Sequence, residues 1–339
     1  MQRDGATGTA VAAPTPARSG GIVLGRGLVR LLAMEAILLA LIVVLVFMAP
    51  GFATLGNLLN VLRTVSMLGI IAFGMTAVII AGEIDLSVGA GAALAGCIVA
   101  RISGVFDDVL GDSGAIIAGF ALALAVGFGT GVLTGKIRQW FNVPTFITTL
   151  ALFTALRGAA NLVTGGFPLA TFPDWFSFFG AGFLFGIPFP VYVFAAVFVV
   201  MHVLMNYTDF GRAVYAVGGN AEAARLSGIN IYRVKTATLA ITGVLTAITG
   251  TLLASQIGSG VGTTATGMEL DVIAAVIIGG TSLFGGKGRI WGTLLGVIFL
   301  GCISNGMTLM NVSEYWQLVA RGAIIVGAVL LNQVLERVR

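Results

Sequence analysis

Four carboxylates stand out in a chain that carries few charges. They form two pairs with the same spacing, Glu83-Ile-Asp85 in GEIDLSVGAGAALAG and Glu269-Leu-Asp271 in MELDVIAAVIIGG. Each pair precedes an apolar stretch, 88–103 and 271–284. An acid at a helix start is favoured by the helix dipole, so a simple interfacial cap is one reading of Glu83 and Glu269. Asp85 and Asp271 are expected to be buried, where a carboxylate is costly enough to mark a function. Ser87, Thr281 and Ser282 lie beside them. Carboxylates and hydroxyls of this kind could hydrogen-bond a hydroxyl-rich solute, which makes Asp85, Ser87, Asp271, Thr281 and Ser282 the expected substrate pathway. Arg157 and Arg321 also fall inside apolar stretches, either as partners for the acids or reaching back to the outer interface.

A second polar feature is VGGNAEAARLSGIN, 217–230. Asn220 is a good N-cap, AEAARLS makes about two turns, and Gly228 suits the left-handed stop position. So short a helix is marginal on its own in water. Lying on a membrane surface would need a strong apolar face, but this segment offers mostly alanine and one leucine. Small side chains beside an exposed Glu222 and Arg225 suit docking into a groove on a protein partner.

Other chemistries find little support. GGTSLFGGKG, 279–288, looks like a phosphate loop, but that pattern needs Gly-Lys directly after four spacer residues and then Ser or Thr. Here Gly285 is followed by Gly286, and Lys287 by Gly288. Glycines here better serve close helix packing. This chain is therefore not expected to bind ATP. Cys97 and Cys302 lie in apolar runs and read as small core residues. His202 reads as a packed or interfacial ring, and neither a metal site nor a nucleophile–base pair is legible.

The elements that must position these residues follow from composition. Hydrophobic residues make up 58% of the chain and charged residues 9%, against about 25% charged in a typical soluble domain. With a mean hydropathy of +1.03, the chain reads as an all-α, multi-spanning membrane protein. About ten spans are expected, near 31–49, 59–81, 88–103, 115–135, 145–163, 189–206, 237–257, 271–284, 290–308 and 316–334. The first run is long for a signal-peptide core and lacks a clear small-x-small cleavage site, so it is expected to be retained. Residues 1–29 read as a disordered cytoplasmic tail, 30–335 as the transmembrane domain, and 336–339 as a short cytoplasmic end. Placing both termini in the cytoplasm puts most of the 18 lysines and arginines there, Lys136, Arg138, Arg212 and Lys235 among them. Asp107, Asp108, Asp112, Asp174 and Glu314 then collect on the other side. The net charge of +4 is spread over membrane flanks, so it argues for lipid contact and not for nucleic acid. The polar loop at 207–236 falls on the cytoplasmic side. The short stretches at 88–103 and 271–284 would run in opposite directions, as paired broken helices of an inverted repeat of five spans plus five. Such segments are a good pointer to a transport pathway.

Five blocks, in order, carry a resemblance: GEIDLSVG at 82–89, VPTFITTLALFTALRG at 143–158, AVGGNAEAARLSGINI at 216–231, MELDVIAAVIIGGTSLFGGKGRIWGTLLG at 268–296, and SNGMTLMNVSEYWQLVARGAIIV at 304–326. The chain resembles the inner-membrane permease subunits of bacterial ABC importers of the ribose/xylose type, relatives of branched-chain amino acid permeases, over about 55–335. The resemblance implies a core of two permeases, identical or homologous. It also implies two cytoplasmic ATPase domains that hold ATP and magnesium, and a periplasmic sugar-binding protein. It implies that Gly218, Gly219, Asn220, Ala223, Ala224, Arg225, Ser227, Gly228 and Ile229 form the coupling segment seated on the ATPase. The expected cargo is a monosaccharide or polyol, with a nucleoside or branched-chain amino acid as alternatives. Glu83 departs from the family, which commonly has glycine before Ile-Asp-Leu-Ser. The competing reading is an ion-coupled secondary transporter working through Asp85 and Asp271, but it gives the capped docking helix no purpose.

Overall fold

In the computed structural model the described residues run from 20 to 337; at 20–33 and at most positions beyond 324 only the backbone is described. The tail expected over 1–29 lies outside the described residues up to position 19, and α1 is helical from Gly20 to Met48. The other long helices are α2 (Leu55–Ile80), α3 (Val88–Phe141), α4 (Thr145–Thr164), α6 (Phe189–Tyr207), α9 (Ile231–Ile257), α11 (Ile290–Leu309) and α12 (Glu314–Arg337). Short elements join them: a 3-10 turn at Asp174–Phe176, α5 (Ser177–Ala181), a hairpin of β1 (Phe183–Leu184) and β2 (Ile187–Pro188), then α7 (Asp209–Gly219), α8 (Ala221–Leu226) and α10 (Met268–Ile278). Six of the described helices are long and apolar enough to cross a membrane.

Two expectations change here. The stretches 88–103 and 115–135 are arms of α3, broken at Gly111, where φ is +68° and ψ is 160°. The first arm runs from Val88 to that break, so it is not a short helix. Only the second of the two expected short helices is short: α10 has 11 residues. The loop expected at 207–236 is mostly helical, because α7 precedes α8 and α9 starts at Ile231 rather than 237. Asn230 caps α9 by accepting from the Arg233 amide at 3.0 Å.

α2 and α9 form the centre. From Ser66 to Ala81 nearly every α2 side chain is buried, including Ile70, Phe73, Met75 and Ile80. α9 lies against both arms of α3 at backbone distance: a Cβ on Gly127 would stand 2.3 Å from the Gly243 carbonyl oxygen. Small residues permit this approach, which in a membrane supplies much of the packing energy. Cys97 and Cys302 are free and buried. The hydroxyls of Thr238, Thr242 and Thr251 turn back on α9 itself, Thr242 to the Thr238 carbonyl at 2.9 Å, so they can be buried at little cost.

α2 and α10 end in the same way. Ala77-Val78-Ile79-Ile80 leads to Gly82 (φ +77°), and Ala275-Val276-Ile277-Ile278 leads to Gly280 (φ +88°). The next amide in each case bonds back across the last turn, Glu83 to the Val78 carbonyl at 3.1 Å and Thr281 to the Val276 carbonyl at 3.2 Å. These are left-handed glycine stops that satisfy the final carbonyls.

Candidate functional site

The four carboxylates occupy different environments. Glu83 is buried, not an exposed cap. Its Oε1 accepts from Lys235 Nζ at 2.6 Å and Arg138 Nε at 3.3 Å, and its Oε2 accepts from the Thr145 hydroxyl. This knot joins the segment after α2 to the end of α3, the start of α4 and the start of α9. Asp85 is buried, and its Oδ1 accepts from both the amide (2.8 Å) and the hydroxyl (2.6 Å) of Ser87. Asp85 and Ser87 line a cavity shared with Thr130, Leu156, Gly243 and Thr246. The Thr246 hydroxyl there has no hydrogen-bond partner.

Glu269 and Asp271 both sit in the first turn of α10. Glu269 is buried against Gly89 at the start of α3, where a Cβ would stand 2.2 Å from its Oε2. Arg157 lies near it and donates to the carbonyls of Gly262 and Thr264 at 2.8 and 2.7 Å. Asp271, expected to be buried, is partly exposed, with its side chain at 28%, and accepts from Arg321 at 2.9 Å.

The expected substrate-pathway residues are therefore dispersed. Asp85 and Ser87 share the cavity. Asp271 faces α12 instead. Thr281 and Ser282 are buried in the turn after α10, where the Ser282 amide bonds the Lys287 carbonyl at 2.9 Å. The partners of Glu83 were not anticipated as a site. Arg138 and Lys235 register in the sequence only as flanking charges, and a buried glutamate is the signal that demands them.

The polar segment is well formed. The Asn220 side chain accepts from the Ala223 amide at 3.0 Å, and Gly228 takes φ +83° while the Ile229 amide bonds the Ala224 carbonyl at 3.0 Å. Ala224 is buried and Ile229 packs on the main core. Glu222, Ala223, Arg225, Ser227, Gly228, Gly219 and Asn220 are exposed. Arg225 bonds Glu222 at 2.6 and 3.2 Å. That hydrogen bond and the arginine's charge hold the Glu222 carboxyl below its ordinary range. Leu226, at 78% exposure, is the one large apolar side chain in AEAARLS and was not among the expected coupling residues. Gly218 departs from the others, because it is turned toward the end of α2. Among the described residues no group of three or more His, Cys, Asp or Glu could hold a metal ion.

Residues 57–329 match the family described as branched-chain amino acid transport system / permease component. The chain belongs to this permease family. It is 42% identical to the ribose import permease protein of Escherichia coli K12, over 87% of this chain and 91% of the relative. Identity to the ribose import permease protein of Bacillus subtilis 168 is 43%, over 87% and 90%. The L-arabinose ABC transporter permease protein of Azospirillum brasilense is 36% identical, over 95% and 92%. No solved structure matches the chain significantly. The permease is thus a transport component and not an enzyme, and with its apolar helices a multi-pass protein of the inner membrane.

Proposed function

We propose that this permease is the membrane subunit of an ATP-driven ABC importer for a monosaccharide, a pentose such as ribose or arabinose first. The observation that carries the reading is the exposed, doubly capped α8, seated by Ala224 and Ile229 and presenting Glu222, Arg225 and Leu226 outward, in a chain similar to ribose and L-arabinose permeases. In this reading α7 and α8 dock on a separate cytoplasmic ATPase that holds ATP and magnesium. A second permease completes the core, and a periplasmic binding protein delivers the sugar. Ten spans result when the two arms of α3 and the short α10 are counted with α1, α2, α4, α6, α9, α11 and α12, and both termini then lie in the cytoplasm. Nucleotide-driven closure moves the docked segment as a lever on a bistable bundle.

The test is uptake of labelled ribose and arabinose into vesicles holding the permease with its cognate ATPase and binding protein. ATP-dependent uptake is expected, and uptake driven by a proton gradient without ATP overturns the reading. Gly228→Pro is expected to abolish sugar-stimulated ATP hydrolysis while the permease still inserts, because proline cannot adopt the positive φ at this stop.

A further inference from the structure

The two glycine stops do more than end their helices, because the last residues of α7 lie between them. A Cβ on Gly218 would stand 1.7 Å from the Ile80 carbonyl oxygen and 2.6 Å from the Gly286 amide nitrogen. One on Gly286 would stand 2.7 Å from the Gly219 Cα, and one on Gly285 would stand 2.9 Å from the Gly218 carbonyl oxygen. The Gly286 amide donates to the Ile80 carbonyl at 2.8 Å. Tyr215, one turn back on α7, donates its hydroxyl to the Gly288 carbonyl at 3.0 Å. Three backbones meet here with no side chain between them: the end of α2, the turn after α10, and the end of α7. Side chains can change rotamer and absorb a displacement, whereas close-packed backbone passes it on.

We infer that Gly218, Gly286 and Tyr215 are positioning residues that make this junction a single rigid joint, so that displacement of α7 moves α2 and α10 together. The inference rests on the reading that α7 and α8 take their force from an ATPase. It assigns Gly218 and Gly219 different duties: Gly219 lies on the exposed side, and Gly218 faces the two helix ends. One element thereby drives both the buried central helix and the short helix that carries Asp271.

The test uses the complete importer in nanodiscs with Cys97 and Cys302 replaced by serine. Spin labels at Ala216→Cys and Phe284→Cys, both exposed positions, report across the joint, and a control pair at Ala216→Cys and Val109→Cys reports across the bundle. The joint distance is expected to stay the same between nucleotide-free and ATP-trapped states while the control pair changes. A joint distance that changes with the control overturns the inference. Sugar moved per ATP hydrolysed is the second readout. Gly218→Ala should nearly abolish it, and the milder Tyr215→Phe should lower it several-fold, with the ATPase still co-purifying. A wild-type ratio in both variants overturns the joint and leaves the docking reading standing. Failure of the ATPase to co-purify with the unaltered chain overturns the docking reading itself.

Discussion

The ends of α2 and α10 begin with the same four residues, Ala-Val-Ile-Ile, and stop on a glycine in the same conformation, yet the segments beyond the two glycines are opposite in kind. After Gly82 comes Glu83, which gathers Lys235, Arg138 and Thr145 from three other helices. After Gly280 comes Thr281, fully buried, with a hydroxyl that has no hydrogen-bond partner. The first turn is fixed by side-chain charge. The second is fixed by backbone, through Gly286 on the Ile80 carbonyl. The difference teaches that the cap sets only the direction in which the chain leaves, and the next residue decides what holds it there.

Substitution at the residue after each glycine tests that contrast most strongly. Glu83→Ala leaves two cations facing a buried site and should cost about 3–5 kcal/mol, read as a lower thermal unfolding midpoint in detergent. Thr281→Val removes a hydroxyl that is buried without a bond, so its effect should be neutral or stabilising by up to about 1 kcal/mol. Equal losses at the two positions would break the comparison. Gly82→Ala and Gly280→Ala come next. Neither added methyl meets an atom within 4 Å, so each change measures backbone conformation alone, about 1–2 kcal/mol. Matching values by the same unfolding measurement would sharpen the claim that the stops are equivalent. The smallest loss is expected for Asp271→Asn. Its pair with Arg321 is partly exposed on both sides, so the loss should stay below about 1 kcal/mol. A loss as large as that of Glu83→Ala would mean that the second acidic pair is also structural.

These contrasts mark where the sequence was readable. The caps of α8 are local, made within a few residues, and Asn220 and Gly228 announce them without help from the rest of the fold. That the chain is all-α with several helices long and apolar enough to cross a membrane was legible for the same reason, since length and composition suffice. The shared acid spacing misled because its meaning depends on the backbone beneath it. Glu83 and Asp85 lie in an irregular segment before α3, whereas Glu269 and Asp271 lie in a helix. Residues two apart on a helix do not face each other, so Glu269 turns to Gly89 and Arg157 while Asp271 turns to Arg321. The pathway residues scattered for a related reason. Nothing local distinguishes a hydroxyl that lines a cavity, as Ser87 does, from one folded into a turn, as Ser282 is. The ion knot was illegible because Glu83 is 55 residues from Arg138 and 152 from Lys235, and only tertiary packing joins them.

The double cap of α8 has a consequence for how such permeases diversify. Because Asn220 and Gly228 close both ends with bonds made inside the segment, 220–229 carries its own folding instructions. Its attachment is a small hydrophobic plug, Ala224 and Ile229. If α8 docks on an ATPase as proposed above, a cassette of this kind could be exchanged between permeases as a unit, re-addressing one membrane scaffold to a different motor without redesigning the spans.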